Sequence, residues 1–270
     1  MANDPNDIAL GSFVDTGHWK LILTITADGM VGLLKNIQQT NKNPLLLFRN
    51  NWNADEGEAL KNVENTVYEN PRMLDDFATQ IIIEAPKSLW IPSKFAEEDE
   101  YDDKCFTKIY KAHPEDIFAD FYDEEICLFT LMPGLKSFLS RTLPGCRISA
   151  HIAILKEYYQ AKIKGGNYIF LDIRDKAIDI LAFSNKKFLS AATHPCEDFE
   201  ELRYRILLLA DAYNLELKSL NLSVFATNDK CKEIAEEFGM FIPNIEYTRW
   251  PEAWQNAGLS HATGIVLDKK

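Results

Sequence analysis

A series of β-rich runs followed by helices occurs twice in this chain, and that repetition constrains the fold more than any other feature. The first copy opens with Leu21-Ile22-Leu23-Thr24-Ile25-Thr26 and ends in Ala27-Asp28-Gly29. Asp-Gly between two β-rich segments predicts a hairpin, because glycine accepts a positive φ without steric cost. Met30 to Leu34 returns as a second strand, and Leu45 to Phe48 supplies a third. A helix follows, with Asp55 as its candidate cap and Glu58 three residues on in capping-box spacing. Leu60, Val63 and Val67 share one face of it.

The second copy begins with Tyr168 to Ile173, turns at Arg174-Asp175-Lys176 and returns through Ala177 to Phe183. Asn185-Lys186-Lys187 turns again into Phe188 to Thr193. A helix from about Glu197 to Tyr213 carries Phe199, Leu202, Ile206, Leu209 and Tyr213 at helical spacing. A strand near Leu220 to Ala226, a helix from Asp229 to Phe238 stopped by Gly239, and a strand from Phe241 to Tyr247 complete the unit. In the first half, Gln80 to Ile83, Ile117 to Phe121, Ile126 to Leu131 and Arg147 to Ala150 read as strands. Helices are expected from about Ser93 to Lys111, from Gly134 to Thr142 and from Ile152 to Ile163. Each half therefore runs as three strands, then helix, strand, helix, strand. That order predicts an α/β protein of two lobes, each a mixed sheet with an antiparallel edge of three strands, flanked by helices. The expected divisions are an N-terminal extension over 1–17, a first lobe over 18–150 and a second over 151–270.

Three strands joined by two hairpins and followed by helix, strand, helix and strand, in duplicate, resemble the actin-like ATPase (ribonuclease-H-like) superfamily. The small bacterial pilus-assembly and cell-division members are the most similar, together with a bacterial family that carries this fold without an assigned activity. The resemblance covers nearly all of residues 20 to 250. It implies that the first hairpin of each half holds nucleotide phosphate, with an acidic residue near the end of the first strand holding a metal ion through water. It also implies glycines and a Ser or Thr in those turns, and a small-residue turn late in the second half that touches adenosine. Glycine alone lets the main chain approach a pyrophosphate, and Mg²⁺ takes one or two carboxylates with phosphate oxygens.

On this sequence the candidate residual nucleotide site is Thr24, Thr26, Asp28, Gly29, Asp172, Arg174, Thr227 and Asn228. All three motifs depart from the family pattern. Thr24 stands where the first acidic residue belongs and Thr26 where the first glycine belongs, and Asp28 adds a carboxylate that repels phosphate. Asp172 matches the second acidic position, but Arg174 replaces the glycine. Phe225-Ala226-Thr227-Asn228-Asp229 stands where a glycine pair is expected. A non-glycine residue forced to positive φ costs about 1–2 kcal/mol, and its Cβ fills space a phosphate needs. Arg174 and Lys176 offset part of this as phosphate partners.

Charge and composition narrow the function further. Twenty-nine basic against 41 acidic residues leave a net charge of −12, which repels phosphate backbones and anionic lipid. No nucleic-acid partner and no membrane insertion are expected. The run Glu97-Glu98-Asp99-Glu100 with Asp102-Asp103 lacks the ligand spacing and turn glycine of an EF-hand and reads as a solvated helix face. The histidines form no metal spacing, and His194-Pro195-Cys196 lacks the third group that would orient a Cys–His pair. Five cysteines, none closer than 19 residues to the next, read as mostly buried reduced thiols in a cytoplasmic protein. Met1 to Thr16 has neither the basic start nor the apolar stretch of a signal peptide. The tryptophans Trp19, Trp52, Trp90, Trp250 and Trp254 read as core seals, and His261 to Lys270 shows no amphipathic periodicity. The expectation is a cytoplasmic, non-catalytic interaction or assembly module with an eroded nucleotide site, an unidentified protein partner, no catalytic or metal residues and no cofactor. The alternative is a nucleotide-binding ATPase or small-molecule kinase that uses Mg·ATP at an atypical phosphate site, with Asp172 and Asp28 as its carboxylates.

Overall fold

A computed structural model of the chain describes residues 16–38, 43–53, 58–95, 101–174, 176–195, 198–226, 228–251, 254 and 259–268. The chain divides into two compact units, one of Met1–Ala85, Ile91–His151 and Leu267–Lys270, the other of Pro86–Trp90 and Ile152–Val266.

In the first unit, β1 (Trp19–Thr26), β2 (Gly29–Asn36) and β3 (Leu45–Asn51) precede α1 (Ala59–Glu69) and β4 (Ala78–Ile83). The chain continues through β5 (Lys87–Pro92), most of which belongs to the second unit, and then α2 (Tyr101–Tyr110), β6 (Phe118–Phe121), β7 (Glu125–Thr130), α3 (Leu135–Thr142) and β8 (Arg147–Ala150). The main sheet has the order β3-β2-β1-β4-β8, and β6 pairs antiparallel with β7. β1 is antiparallel to β2 and parallel to β4. Leu21, Ile22, Leu23 and Ile25 are fully buried, so both faces of β1 are covered, which is why its sequence reads as a continuous apolar run.

Several details differ from the sequence expectations. Thr26 pairs with Gly29, leaving Ala27-Asp28 as the turn, and Gly29 does not have a positive φ. Glycine is needed there for close approach: a Cβ would lie 2.9 Å from Asn51 Oδ1 and 3.0 Å from the Asn50 carbonyl. Glu58 is itself the N-cap of α1 and makes no side-chain cap bond, while Asp55 lies outside the described residues. The helix expected from Ser93 to Lys111 is a 3-10 turn over Ser93–Phe95 and then α2, with residues 96–100 outside the described set. The strand β5 was not anticipated.

The second unit takes in α4 (His151–Lys162), β9 (Asn167–Ile173), β10 (Ala177–Ser184), β11 (Lys187–Pro195) and α5 (Phe199–Ala212). β12 (Asn221–Ala226), α6 (Asn228–Phe238), β13 (Asn244–Arg249) and α7 (His261–Asp268) follow. Its sheet order, β11-β10-β9-β12-β13, repeats that of the first. The β10–β11 hairpin turns on Asn185 and Lys186, both at positive φ, a pairing whose twist suits a two-residue loop. Alternation assigns the two faces of the sheet. Ile169, Leu171, Ile173, Ile178, Ile180, Leu222 and Val224 pack with Leu202 and Ile206 of α5 and Ile234 and Phe238 of α6. On the other face Tyr159 of α4 stacks on Phe170 at 4.2 Å and His261 of α7 stacks on Phe225 at 3.5 Å between ring centroids. The C-terminal segment, for which no periodicity was read, is thus a helix; it is buried from His261 to Leu267, and burial all round leaves no amphipathic signal.

Candidate functional site

The first loop closes on itself. Thr24 is buried within β1, between Val31 of β2 and Ile82 of β4. Thr26 Oγ1 lies 3.0 Å from Asp28 Oδ1 and 3.2 Å from the Gly29 carbonyl, and it accepts the Asp28 N–H at 3.3 Å. The turn carbonyls are taken as well: Trp52 donates its indole N–H to Ala27 at 2.8 Å and its backbone N–H to Asp28 at 2.9 Å. Thr24, Thr26, Asp28 and Gly29 are therefore together, with the Asp28 carboxylate turned onto a neighbouring hydroxyl.

In the second loop the register carries the chemistry. Asp172 of β9 stands opposite Asp179 of β10 and Phe225 of β12, so the three side chains share one sheet face. Both carboxylates are buried, Asp172 at 1% and Asp179 at 0% exposure. Each has its own partner. His261 Nδ1 lies 2.5 Å from Asp172 Oδ2. Arg174 Nη2 and Thr193 Oγ1 donate to Asp179 Oδ1 at 3.0 and 2.7 Å. The Arg174 carbonyl accepts from Lys230 Nζ at 2.8 Å, and its N–H closes the hairpin on the Ala177 carbonyl at 2.9 Å.

Aromatic rings enclose the imidazole of His261. Phe225 is stacked on it, Tyr158 and Tyr159 meet it edge-on at 5.3 and 5.8 Å, and Trp254 lies 6.0 Å away. The Tyr159 hydroxyl is 3.4 Å from the same Nδ1. Asp172 Oδ1 and His261 Nε2 are buried and have no hydrogen-bond partner among the described residues. Burial pushes the Asp172 carboxyl above its ordinary range; His261 and Arg174 pull it down, and the Asp179 charge adds to the rise. Burial, reinforced by the Asp172 charge, holds the Tyr159 phenol well above its usual value.

Of the candidate residues in the second half, the structure brings Asp172 and Arg174 into one buried array. Thr227 lies outside the described residues, and Asn228 opens α6. Asp172, one residue from the end of β9, is buried and does not face solvent. Asp179, Thr193, Tyr159, Phe225 and His261 were not anticipated as site residues. The signal for Asp179 was present, a lone carboxylate at a mid-strand position in the apolar run Ala177 to Phe183. His261 had none, being 89 residues from its partner. Among the described residues no three His, Cys, Asp or Glu side chains gather as a metal group. The arrangement couples an acid to an imidazole as a general-base pair does, but it points the remaining ring nitrogen into the interior.

Comparison with solved structures identifies the architecture. A Bacteroides thetaiotaomicron protein with an actin-like ATPase fold and unknown function is similar over 96% of this chain and 99% of its own, at a TM-score of 0.77 and 18% identity. The PilM–PilN type IV pilus biogenesis complex is similar over 92% of this chain and 96% of the other, at a TM-score of 0.51 and 11% identity. These likenesses establish a duplicated actin-like ATPase fold, as the strand order repeated in both units requires. No curated protein matches. Residues 12–245 match the family described as a protein of unknown function, DUF3822, and the chain belongs to that family.

Proposed function

We propose that this chain is a non-catalytic actin-like protein, a pseudo-ATPase that serves in the cytoplasm as a protein-interaction or assembly module. One observation carries the reading: the carboxylate of Asp172, at the position where the superfamily holds its metal ion, is buried and bound to His261. Recruiting it to a hydrated cation strips a buried imidazole of its partner, and an orphaned buried polar group costs about 1–3 kcal/mol. Two further features support the reading. Arg174, the cation best placed to meet phosphate, is committed to Asp179. The first loop offers a threonine in place of an acid and a carboxylate where phosphate would approach.

An interaction role also draws on PilM, which is similar in fold and is known in complex with PilN. On this chain Tyr204 and Leu208, one turn apart on α5 and 64% and 54% exposed, give the second unit an apolar outer surface of the kind a protein partner covers. The deciding experiment is calorimetric titration of the full chain with Mg·ATP and then ADP. The expected result is no binding heat up to roughly millimolar nucleotide. Micromolar binding that Asp172→Ala abolishes overturns the proposal and restores the ATPase or kinase reading.

A further inference from the structure

The array around Asp172 holds an unusual charge balance for a protein interior. Within it stand the carboxylates of Asp172 from β9 and Asp179 from β10, the guanidinium of Arg174 from the loop after β9, and the imidazole of His261 from α7. Among the described residues the other titratable groups facing it are the phenols of Tyr159 and Tyr158 on α4 and the Lys230 ammonium of α6, which meets the Arg174 carbonyl; the remaining walls are Thr193 of β11, the Phe225 ring of β12 and Trp254. Arg174 neutralises Asp179 through a 3.0 Å contact. A carboxylate beside a neutral imidazole that donates its Nδ1–H still carries one negative charge, so the Asp172–His261 pair is neutral only with one further proton, on the carboxyl or on the ring. Without that further proton a net charge is left buried beside a second carboxylate, in a setting where an unpaired charge is strongly disfavoured.

We propose that the Asp172–His261 pair is a proton-operated latch: while the pair keeps its proton, the first turn of α7 stays docked on the sheet of the second unit, and as the proton leaves that turn releases. The sense follows from burial. Asp172 gives up its proton less readily in the folded chain than in the unfolded one. The contribution of the pair is therefore complete at acid pH and is lost as pH rises through the folded value. His261 is also the first residue of α7, next to Ser260, whose Oγ accepts the Thr263 N–H at 3.4 Å, so the contact with Asp172 lies in the turn where the helix begins. The inference is independent of whether the loops bind nucleotide.

Amide hydrogen exchange of the full chain, corrected for the intrinsic effect of pH, tests it between about pH 5 and pH 8. Protection of residues 261–266 should fall by up to about tenfold per pH unit across the transition, the slope of one proton, while β9 and β10 stay protected. In Asp172→Asn, which keeps a partner for His261 without a titrating carboxyl, the profile should be flat. In His261→Asn the fall should move to higher pH, because the imidazole that pulls the Asp172 carboxyl down is gone. Equal slopes in wild type and Asp172→Asn, or α7 exchange that tracks global unfolding at every pH, overturn the latch. If neither variant folds, the wild type decides alone: the Asp172 side-chain carboxyl carbon shift must change over the pH range in which α7 protection is lost, and transitions at separate pH overturn it.

Discussion

His194 stands in β11 opposite Ile178, half-buried, and burial followed by the Arg205 charge pulls its imidazole below the ordinary histidine value. The folded chain thus binds this proton less readily than the unfolded one. The stabilisation is present above about pH 6.5 and is lost as pH falls through the lower folded value. Replacing it by glutamine should shrink the pH dependence of the urea midpoint on the acid side, and parallel profiles for wild type and His194→Gln would show that the environment does not select the neutral ring. Nearby, Asp198 Oδ1 accepts the Glu201 N–H at 2.6 Å and caps α5. Asp198→Ala should cost about 1 kcal/mol by urea unfolding, whereas Glu58→Ala should cost nearly nothing, because Glu58 makes no cap bond. The sequence carries the same acidic spacing at Asp198–Glu201 and at Asp55–Glu58; Asp198 caps its helix, whereas α1 begins only after Glu58. Spacing alone does not say where the chain leaves extended geometry. Asp172 was legible as a special residue, but its partner was not, since nothing local connects a strand carboxylate with a histidine in the C-terminal helix.

Elements were legible where a continuous β-rich run or a spaced apolar face marks them. The hairpins of both units announced themselves by β-rich runs broken at Asp28 and Asn185, and α5 by its spaced Leu202 and Ile206. α7 has no wet face until Asp268, so no period marks it. Its packing gives a prediction of inverted sign. Glycine inside a helix is ordinarily worse than alanine by about 1 kcal/mol. At Gly264, however, a Cβ would lie 2.4 Å from the Trp254 ring, with two more ring atoms at 2.5 Å. Gly264→Ala should therefore destabilise the protein, by about 1–3 kcal/mol as overpacking does, and should shift the tryptophan emission; a stabilised variant would mean that Trp254 does not seal the helix. On α5, Leu202→Ala should cost about 2–5 kcal/mol and Leu208→Ala under about 0.5 kcal/mol, since the first is buried and the second exposed.

At the scale of the molecule, the repeated strand order was readable because duplication writes the same succession of periods twice. The nucleotide question was only partly readable, because the loops state which residues are present and not which of them are already engaged. Net charge is the whole-molecule property with the most direct consequence. At −12 the chain repels itself when compact, and the repulsion weakens as the screening length contracts from about 30 Å at 0.01 M salt to about 3 Å at 1 M. The buried pairs Asp172–His261 and Arg174–Asp179 are shielded from that screening, so salt acts chiefly on the exposed acidic excess. The urea midpoint should rise with sodium chloride at an unchanged slope. A midpoint that falls would mean that attractive surface pairs such as Lys61–Glu58 outweigh the general repulsion, an outcome disfavoured because exposed pairs contribute about 0–1 kcal/mol each. The same excess predicts no retardation of duplex DNA at about 0.15 M salt, where a binder needs several Lys or Arg on phosphates to release counterions. A salt-sensitive DNA complex would reveal a basic surface that the sum over the chain conceals.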